Sequence, residues 1–249
     1  MNELPPIYLI NLDRSTGRLQ RFRDQNGHVA NVTRVSATDG STLDRDALIR
    51  AGTIRSDLSY AAGTLGCALS HLNLWKMAAS EGRSVTIFED DIIVSYYFEE
   101  RTRQVLSFMP EDWDFIQWGS IFGSPCYLWV DLGTTKAQIA HYGGRRYQRA
   151  EGQRQFQTED RFSYPVRMLH SFGFQGYSIS ANGARAALDY CLPLHDRMIH
   201  FPEAGVSTPD LSLDIALSGF YPNLKAFICL PPLVIPAEGE DSVRTLMDK

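Results

Sequence analysis

Long apolar runs are missing from this chain, and so are any cluster of cysteines, any abundance of lysine and any large net charge. The longest apolar stretch, Ala226 to Ile235, falls short of the roughly 20 residues that a bilayer-crossing helix needs, and Pro231 and Pro232 interrupt it. At most peripheral membrane contact is expected. The opening MNELPPIYLINLDRS has no basic stretch leading into an apolar run, so no secretory signal is expected. Cys67, Cys126, Cys191 and Cys229 are scattered through apolar settings. That pattern suits reduced, buried thiols better than a disulfide frame or a zinc site. These absences predict a cytoplasmic protein, working in solution or at the inner face of the membrane. A net charge of -5 gives no electrostatic ground for nucleic acid binding. Only four of the 24 basic residues are lysine, which leaves arginine for any local phosphate site.

What is present is a globular composition. Hydrophobic residues make up 44% of the chain and charged residues 21%, enough apolar surface for a core and too little charge for a disordered chain. Short β-rich apolar runs at Ile7–Leu12, Thr33–Ala37, Ser84–Phe88, Trp113–Trp118, Gly176–Ser180 and Lys225–Leu230 predict strands. Between them, Ser15 is placed to cap a helix carrying Arg18, Arg21 and Arg23. Thr64–Ala79 has an apolar stripe at helical spacing, with Leu74 and Met77 on the opposite side, which predicts a helix covered on two faces. Asn182–Cys191 predicts another helix. Thr208-Pro209-Asp210 reads as a helix start, with Thr208 as N-cap and Pro209 in the first position. Gly119–Arg161 lacks periodicity and reads as a long functional loop. No repeat and no linker divides the chain, so one α/β domain over residues 1–249 is expected, with an acceptor-side excursion around 119–168.

Glu89-Asp90-Asp91 is the most informative feature. Three adjacent carboxylates repel one another unless a cation or solvent relieves them. They follow an apolar strand, and open α/β sheets bind ligands at the carboxyl ends of their strands. Mg²⁺ or Mn²⁺ takes such oxygen ligands and completes its shell with water and substrate phosphates. Standing alone, the triplet has a more ordinary explanation, an acidic turn capping the next element.

Four blocks in register shift that balance. IYLINLDRSTGR, then GTLGCALSHLNLWKMA with VTIFEDDI, then GFQGYSISANGARAAL, then TPD with LPPLVIP and Ser242, together resemble glycosyltransferase family 25, which contains lipopolysaccharide and collagen galactosyltransferases. The resemblance covers nearly the whole chain but leaves Gly119–Met168 unmatched. It implies a GT-A type fold, a Rossmann-like sandwich with a mixed central sheet flanked by helices. It also implies inverting transfer of a hexose from a UDP-sugar, most often UDP-galactose, and it makes Glu89 and Asp91 the outer positions of a metal-binding motif.

Chemistry and family position together select the remaining candidates. Asn11, Asp13, Arg14 and Arg18 follow the first strand, where a nucleotide would lie, and either arginine suits a phosphate. Asp13 suits uracil or ribose. Asp91 leads as metal ligand with help from Glu89 or Asp90, and the other of those two could touch the donor's ribose. Ser70 and His71 sit in the central helix block, where adjacent residues do not face each other, so they do not form a hydrolase dyad. Gln175 and Tyr177 flank a glycine at a strand entry, with groups suited to sugar hydroxyls. Arg145, Arg146, Arg149 and Arg154, with Tyr147, form a basic segment that would attract an anionic lipid-linked saccharide acceptor. An inverting transferase needs a base for the acceptor hydroxyl, and Asp210 leads Asp214 for that role. Two other functions stay open on the same fold. One is a catalytically inactive nucleotide-sugar or glycan-binding protein, and the other is a nucleotide-sugar hydrolase.

Overall fold

Apolar β-rich runs become strands and the stripes between them become helices, in the chain order that the sequence predicts. In the computed structural model, residues 4–119, 125–131, 136–142 and 149–237 are described. The first half runs β1 (Ile7–Asn11), α1 (Thr16–Asn26), β2 (Val32–Ser36), α2 (Arg45–Arg50), α3 (Ala62–Glu81), β3 (Val85–Glu89), β4 (Ile92–Val94), α4 (Phe98–Phe108) and β5 (Phe115–Gln117). The second half runs β6 (Pro125–Asp131), β7 (Lys136–Tyr142), α5 (Ala150–Thr158), β8 (Tyr164–His170), β9 (Gly176–Ile179), α6 (Ala181–Cys191), β10 (Met198–Phe201), β11 (Val206–Pro209), α7 (Leu213–Ser218), β12 (Ala226–Leu230) and β13 (Val234–Pro236).

Nine strands form one mixed sheet in the order β2-β1-β3-β9-β5-β12-β8-β6-β7. The β2-β1-β3 edge is parallel, and β9 lies antiparallel between β3 and β5. One sheet face is covered by α3, α6 and α7 around Trp75, Phe115 and Tyr177. The other is covered by α1 and α4 around Phe22, Phe88, Phe98 and Trp118. This is the Rossmann-like mixed α/β sandwich that the resemblance implied. Helix α3 is buried on both sides, with Leu65, Leu72, Leu74 and Trp75 all inside. Each fully buried leucine of this kind contributes about 1.5–3 kcal/mol of hydrophobic stabilisation.

Three local expectations are corrected. Ser15 occupies the N-cap position of α1, but its side chain makes no capping bond; its carbonyl accepts from Leu19 N–H and from the Asn11 amide instead. The stretch 119–161 is not a loop throughout. It carries the antiparallel pair β6–β7, which extends the sheet beyond β8, and helix α5, whose Phe156 is buried. Thr208 and Pro209 do not open a helix. They end β11, paired antiparallel with β10, and α7 begins only at Leu213. The restriction that proline places on its predecessor holds Thr208 extended, and an edge strand tolerates the missing proline N–H.

Candidate active site

The parallel strands β1 and β3 end side by side, with Ile10 registered against Glu89. Their carboxyl ends therefore bring Asn11 and the Glu89-Asp90-Asp91 triplet to one edge, beneath a cavity of about 340 Å³. That volume lies within the range of small-ligand sites. Arg18 on α1, Thr38 and Gly40 after β2, and Gly63, Cys67 and Ser70 on α3 complete the walls. The α3 wall comes close because it lacks side chains where the backbones meet. A Cβ on Gly66 would stand 2.6 Å from both Thr38 O and Gly40 N. Ser70 fastens the same contact, accepting from Thr38 N–H at 2.8 Å and donating to Gly66 O at 2.7 Å.

The acidic triplet is divided by its partners. Asp90 accepts from Asn11 Nδ2 at 2.6 Å and pairs with Arg18. Asn11 is oriented from behind, because Arg34 Nε donates to its Oδ1 at 3.0 Å and so turns the amide N–H toward Asp90. Arg18 also reaches Asp91 Oδ2 at 3.0 Å. Burial works against the Arg18 charge, yet Asp91 and Asp90 more than offset it, and its pKa lies above the ordinary guanidinium value. Asp91 keeps 41% of its side-chain surface open. The surrounding protein, and then the nearby Glu89, push its carboxyl up to about 6, against the pull of Arg18. Glu89 faces the cleft from the other side and accepts from His71 Nε2 at 3.2 Å and from the Cys67 thiol at 3.8 Å. Gln175 Oε1 is buried without a partner, and Gln175 lines the same cavity. Glu89, Asp91 and the unpartnered Gln175 amide oxygen thus line one cavity with the hard-oxygen chemistry that Mg²⁺ or Mn²⁺ takes.

A second cavity of about 50 Å³ adjoins the first, sharing Cys67, Glu89 and Gln175 as walls. Asp214 and His71 line it. Asp214 Oδ2 accepts from Gly173 N–H at 2.9 Å, which fixes the carboxylate at the cavity wall.

Of the residues singled out in the sequence, Asn11, Arg14, Arg18, Ser70, Glu89, Asp90, Asp91 and Gln175 line the main cleft. Arg14 is paired there with Asp39. His71 and Asp214 line only the smaller cavity. Three do not reach either one. Asp13 points outward, 72% exposed, bound to Arg34 and to Ser36 at 2.7 Å; the Arg34 bond holds its carboxyl below the usual range. Tyr177 is fully buried behind the cleft, with its hydroxyl shared between Trp75 and His71, so it cannot touch a sugar. Asp210 is buried and held by Tyr60 Oη at 2.5 Å and Arg197 Nε at 3.1 Å. Burial raises its pKa against the pull of those two bonds. It precedes α7 instead of sharing a helical face with Asp214. Of the basic segment, Arg149 and Arg154 are exposed at α5, while Arg145, Arg146 and Tyr147, like Ser242, lie outside the described residues.

The model of glycosyltransferase family 25, described as an LPS biosynthesis protein family, matches residues 4–199. The chain belongs to glycosyltransferase family 25. Its likeness to curated members runs over a shared segment. A glycosyltransferase 25 family member of Aedes aegypti is 34% identical over 126 residues, 45% of this chain and 21% of that protein. Procollagen galactosyltransferase 1-A of Xenopus laevis is 29% identical over 127 residues, again 45% and 21%. An Anopheles gambiae family member is 32% identical over 129 residues, 47% and 22%. The chain thus spans about a fifth of the length of these relatives. Family 25 membership places the strand-end triplet in a glycosyltransferase fold. It does not reach Asp214, which lies beyond the matched residues.

Sequence reasoning missed Arg34, Asp39 and Cys67. Arg34 could have been suspected as a charged residue inside a short strand next to β1. Asp39 looked like an ordinary turn acid, and Cys67 like an inert buried thiol.

Proposed function

We propose that this chain transfers a hexose, galactose first among the candidates, from a UDP-sugar to a saccharide or lipid-linked saccharide acceptor. The reaction is metal-dependent and inverting, and it serves lipopolysaccharide or related surface-glycan synthesis at the cytoplasmic side of the membrane. The observation that carries this reading is the junction of the two cavities. A cleft rimmed by carboxylates and arginines, suited to a nucleotide diphosphate, shares walls with a smaller cavity that holds a separate carboxylate, Asp214. Family membership and the name of the Xenopus relative favour galactose.

Glu89 and Asp91 would hold the divalent ion, which when bound neutralises charge growing on the departing diphosphate. Arg18 pairs with both Asp90 and Asp91, but Asn11 donates to Asp90 alone, so Asp90 is the more fully engaged while Asp91 keeps 41% of its side-chain surface open. Asp214 takes the proton of the acceptor hydroxyl as that oxygen bonds to the anomeric carbon. The bond from that carbon to the diphosphate oxygen breaks on the opposite face, and its electron pair leaves with UDP.

The test is UDP release from a panel of UDP-sugars, with and without a galactose- or glucose-terminated acceptor, in Mn²⁺ or in chelator. Release that needs UDP-galactose, acceptor and metal together is the expected result. Release without acceptor would identify a hydrolase. Absence of nucleotide binding in calorimetry would leave a glycan-binding protein.

A further inference from the structure

Behind the cleft, α3 turns Cys67, His71 and Trp75 toward the sheet at successive four-residue steps, which places them along one helix face. Opposite them stand Glu89 on β3 and Tyr177 on β9; Tyr177 is registered against Ile87, two residues from Glu89 and so on the same sheet face. Trp75, Tyr177 and His71 have no measurable exposure. Every proton among them must therefore find its acceptor within the group.

The directions can be assigned one at a time. An indole N–H only donates, so Tyr177 Oη accepts from Trp75 Nε1 at 2.8 Å. The tyrosine's own proton then needs an acceptor, and His71 Nδ1 stands 2.8 Å away. An ionised carboxylate only accepts, so the His71 Nε2 that lies 3.2 Å from Glu89 Oε1 carries the ring proton. The opposite tautomer would set a bare Nε2 against the carboxylate and leave the buried phenol proton without an acceptor. A doubly protonated ring would strand the same phenol proton.

We propose that Trp75, Tyr177 and His71 are positioning residues: a one-way hydrogen-bond relay that holds His71 as its Nε2–H tautomer and so fixes Glu89 at the edge of the cleft. The proposal rests on the metal-site reading of Glu89 for its effect on function, but not for the relay itself. The relay argues against a competing use of the same residues. Cys67, His71 and Glu89 bring three potential ligand atoms within 4.8 Å of one another, which resembles a site for a softer metal such as Zn²⁺. A metal on Nε2 would displace that proton and require the ring proton at Nδ1, which leaves the buried Tyr177 phenol proton without an acceptor. The thiol and the imidazole serve instead as two donors to Glu89 from behind, which leaves the cleft side of this carboxylate as the one a cation would meet.

The tautomer is read directly by long-range ¹H–¹⁵N correlation on the labelled full chain, with the His71 ring assigned by its absence in His71→Gln. The expected pattern is a protonated Nε2 and a bare Nδ1, in the absence of nucleotide and metal. A protonated Nδ1, alone or together with Nε2, would overturn the relay. The functional arm measures Mn²⁺ affinity by calorimetry in the presence of UDP. Glutamine places its amide nitrogen near Nε2 and keeps a donor to Glu89, whereas asparagine reaches only the Nδ1 position. His71→Asn and Tyr177→Phe should therefore weaken Mn²⁺ binding by about 10-fold or more, the usual effect of removing a group that orients a ligand, with His71→Gln close to the parent. Equal weakening by Gln and Asn would overturn the positioning role. So would a thiolate charge-transfer band when Co²⁺ is added to the parent, since that reports Cys67 as a ligand. If Tyr177→Phe fails to fold, the Gln and Asn pair still decides. If the parent binds neither UDP nor Mn²⁺, the functional reading falls while the tautomer still decides the relay.

Discussion

Asp210 and Asp214 differ by four positions and by everything around them. Asp210 spends both carboxylate oxygens on Tyr60 and Arg197, and its backbone N–H bonds to Arg197 O at 2.8 Å, so it ties the end of β11 to the chain that precedes α3. Asp214 receives a backbone N–H from Gly173 and faces a cavity that opens on the triplet. The pair therefore separates into an acid tied into the fold and an acid at a cavity wall, the proposed base. Asp214→Asn should leave UDP affinity and melting temperature near the parent's while kcat falls by on the order of 10²–10⁴, the usual share of general-base catalysis. Asp210→Asn should do the reverse: a lower melting temperature, because the Arg197 charge loses its partner, with kcat per folded molecule largely kept. Steady-state rates and thermal melts on both variants check this, and a large kcat loss confined to Asp210→Asn would return the base role to that residue. In the sequence the two acids look alike. A single proline read as a helix start made Asp210 the better candidate, because nothing in TPD reveals that β10 lies alongside it.

Elements carry the site through their close approaches. The α3 wall is set by Gly66 against the 38–40 segment, where a Cβ has no room and the obstructing atoms are backbone. Gly66→Ala should push α3 from that segment, break the Thr38–Ser70 bond, lower the melting temperature and weaken UDP binding. Destabilisation of about 1–3 kcal/mol is the scale for overpacking. Denaturant titration beside UDP calorimetry measures both effects, and an unchanged midpoint would show that the contact yields easily. A second junction joins β8 to the end of α7 and to the turn after β10. Its central residue is His170, whose Nδ1 lies 2.8 Å from Ser218 O while Nε2 meets Glu203 at 2.5 Å. Burial of Glu203 opposes its charge, but the His170 hydrogen bond, a backbone hydrogen bond at Glu203 and the His170 charge together outweigh burial and hold the carboxyl below the ordinary value of 4.5. A carboxylate with a depressed folded pKa contributes stability above its unfolded value and loses it as pH falls through the folded one. Glu203→Gln should therefore melt below the parent at neutral pH, and the gap should close on acidification below about 4.5. Melts across a range from neutral to acid pH check the sign, and a gap that widens in acid would refute it. The strands and helices with clear periodicity were legible in the sequence, as were eight of the cleft residues, because strand-end position and residue chemistry are local. The β6–β7 pair and the buried role of Tyr177 were not, since both depend on which distant strands become neighbours.

At the scale of the whole molecule, the family match ends at residue 199, yet the architecture does not. Strand β12 lies inside the sheet between β5 and β8, and Ala226, Ile228 and Cys229 are fully buried there. Strand β13 pairs with β4, directly after the acidic triplet, and Asp91 O accepts from Ala237 N–H at 2.7 Å. The segment beyond residue 199 thus supplies an internal strand, the support of the triplet and Asp214 itself. A chain ended after Ile199 would expose the edges of β5 and β8 and remove the apolar residues that fill both sheet faces between them. Unpaired strand edges and unfilled core are conditions for loss of cooperative folding and for aggregation. The truncated chain is therefore expected to show no cooperative thermal transition and to bind neither UDP nor Mn²⁺, whereas a chain ended after Ala237 should melt as one unit. Calorimetric scans of the two truncations decide the matter, and a cooperative transition from the shorter chain would mean that the matched segment folds without its internal strand.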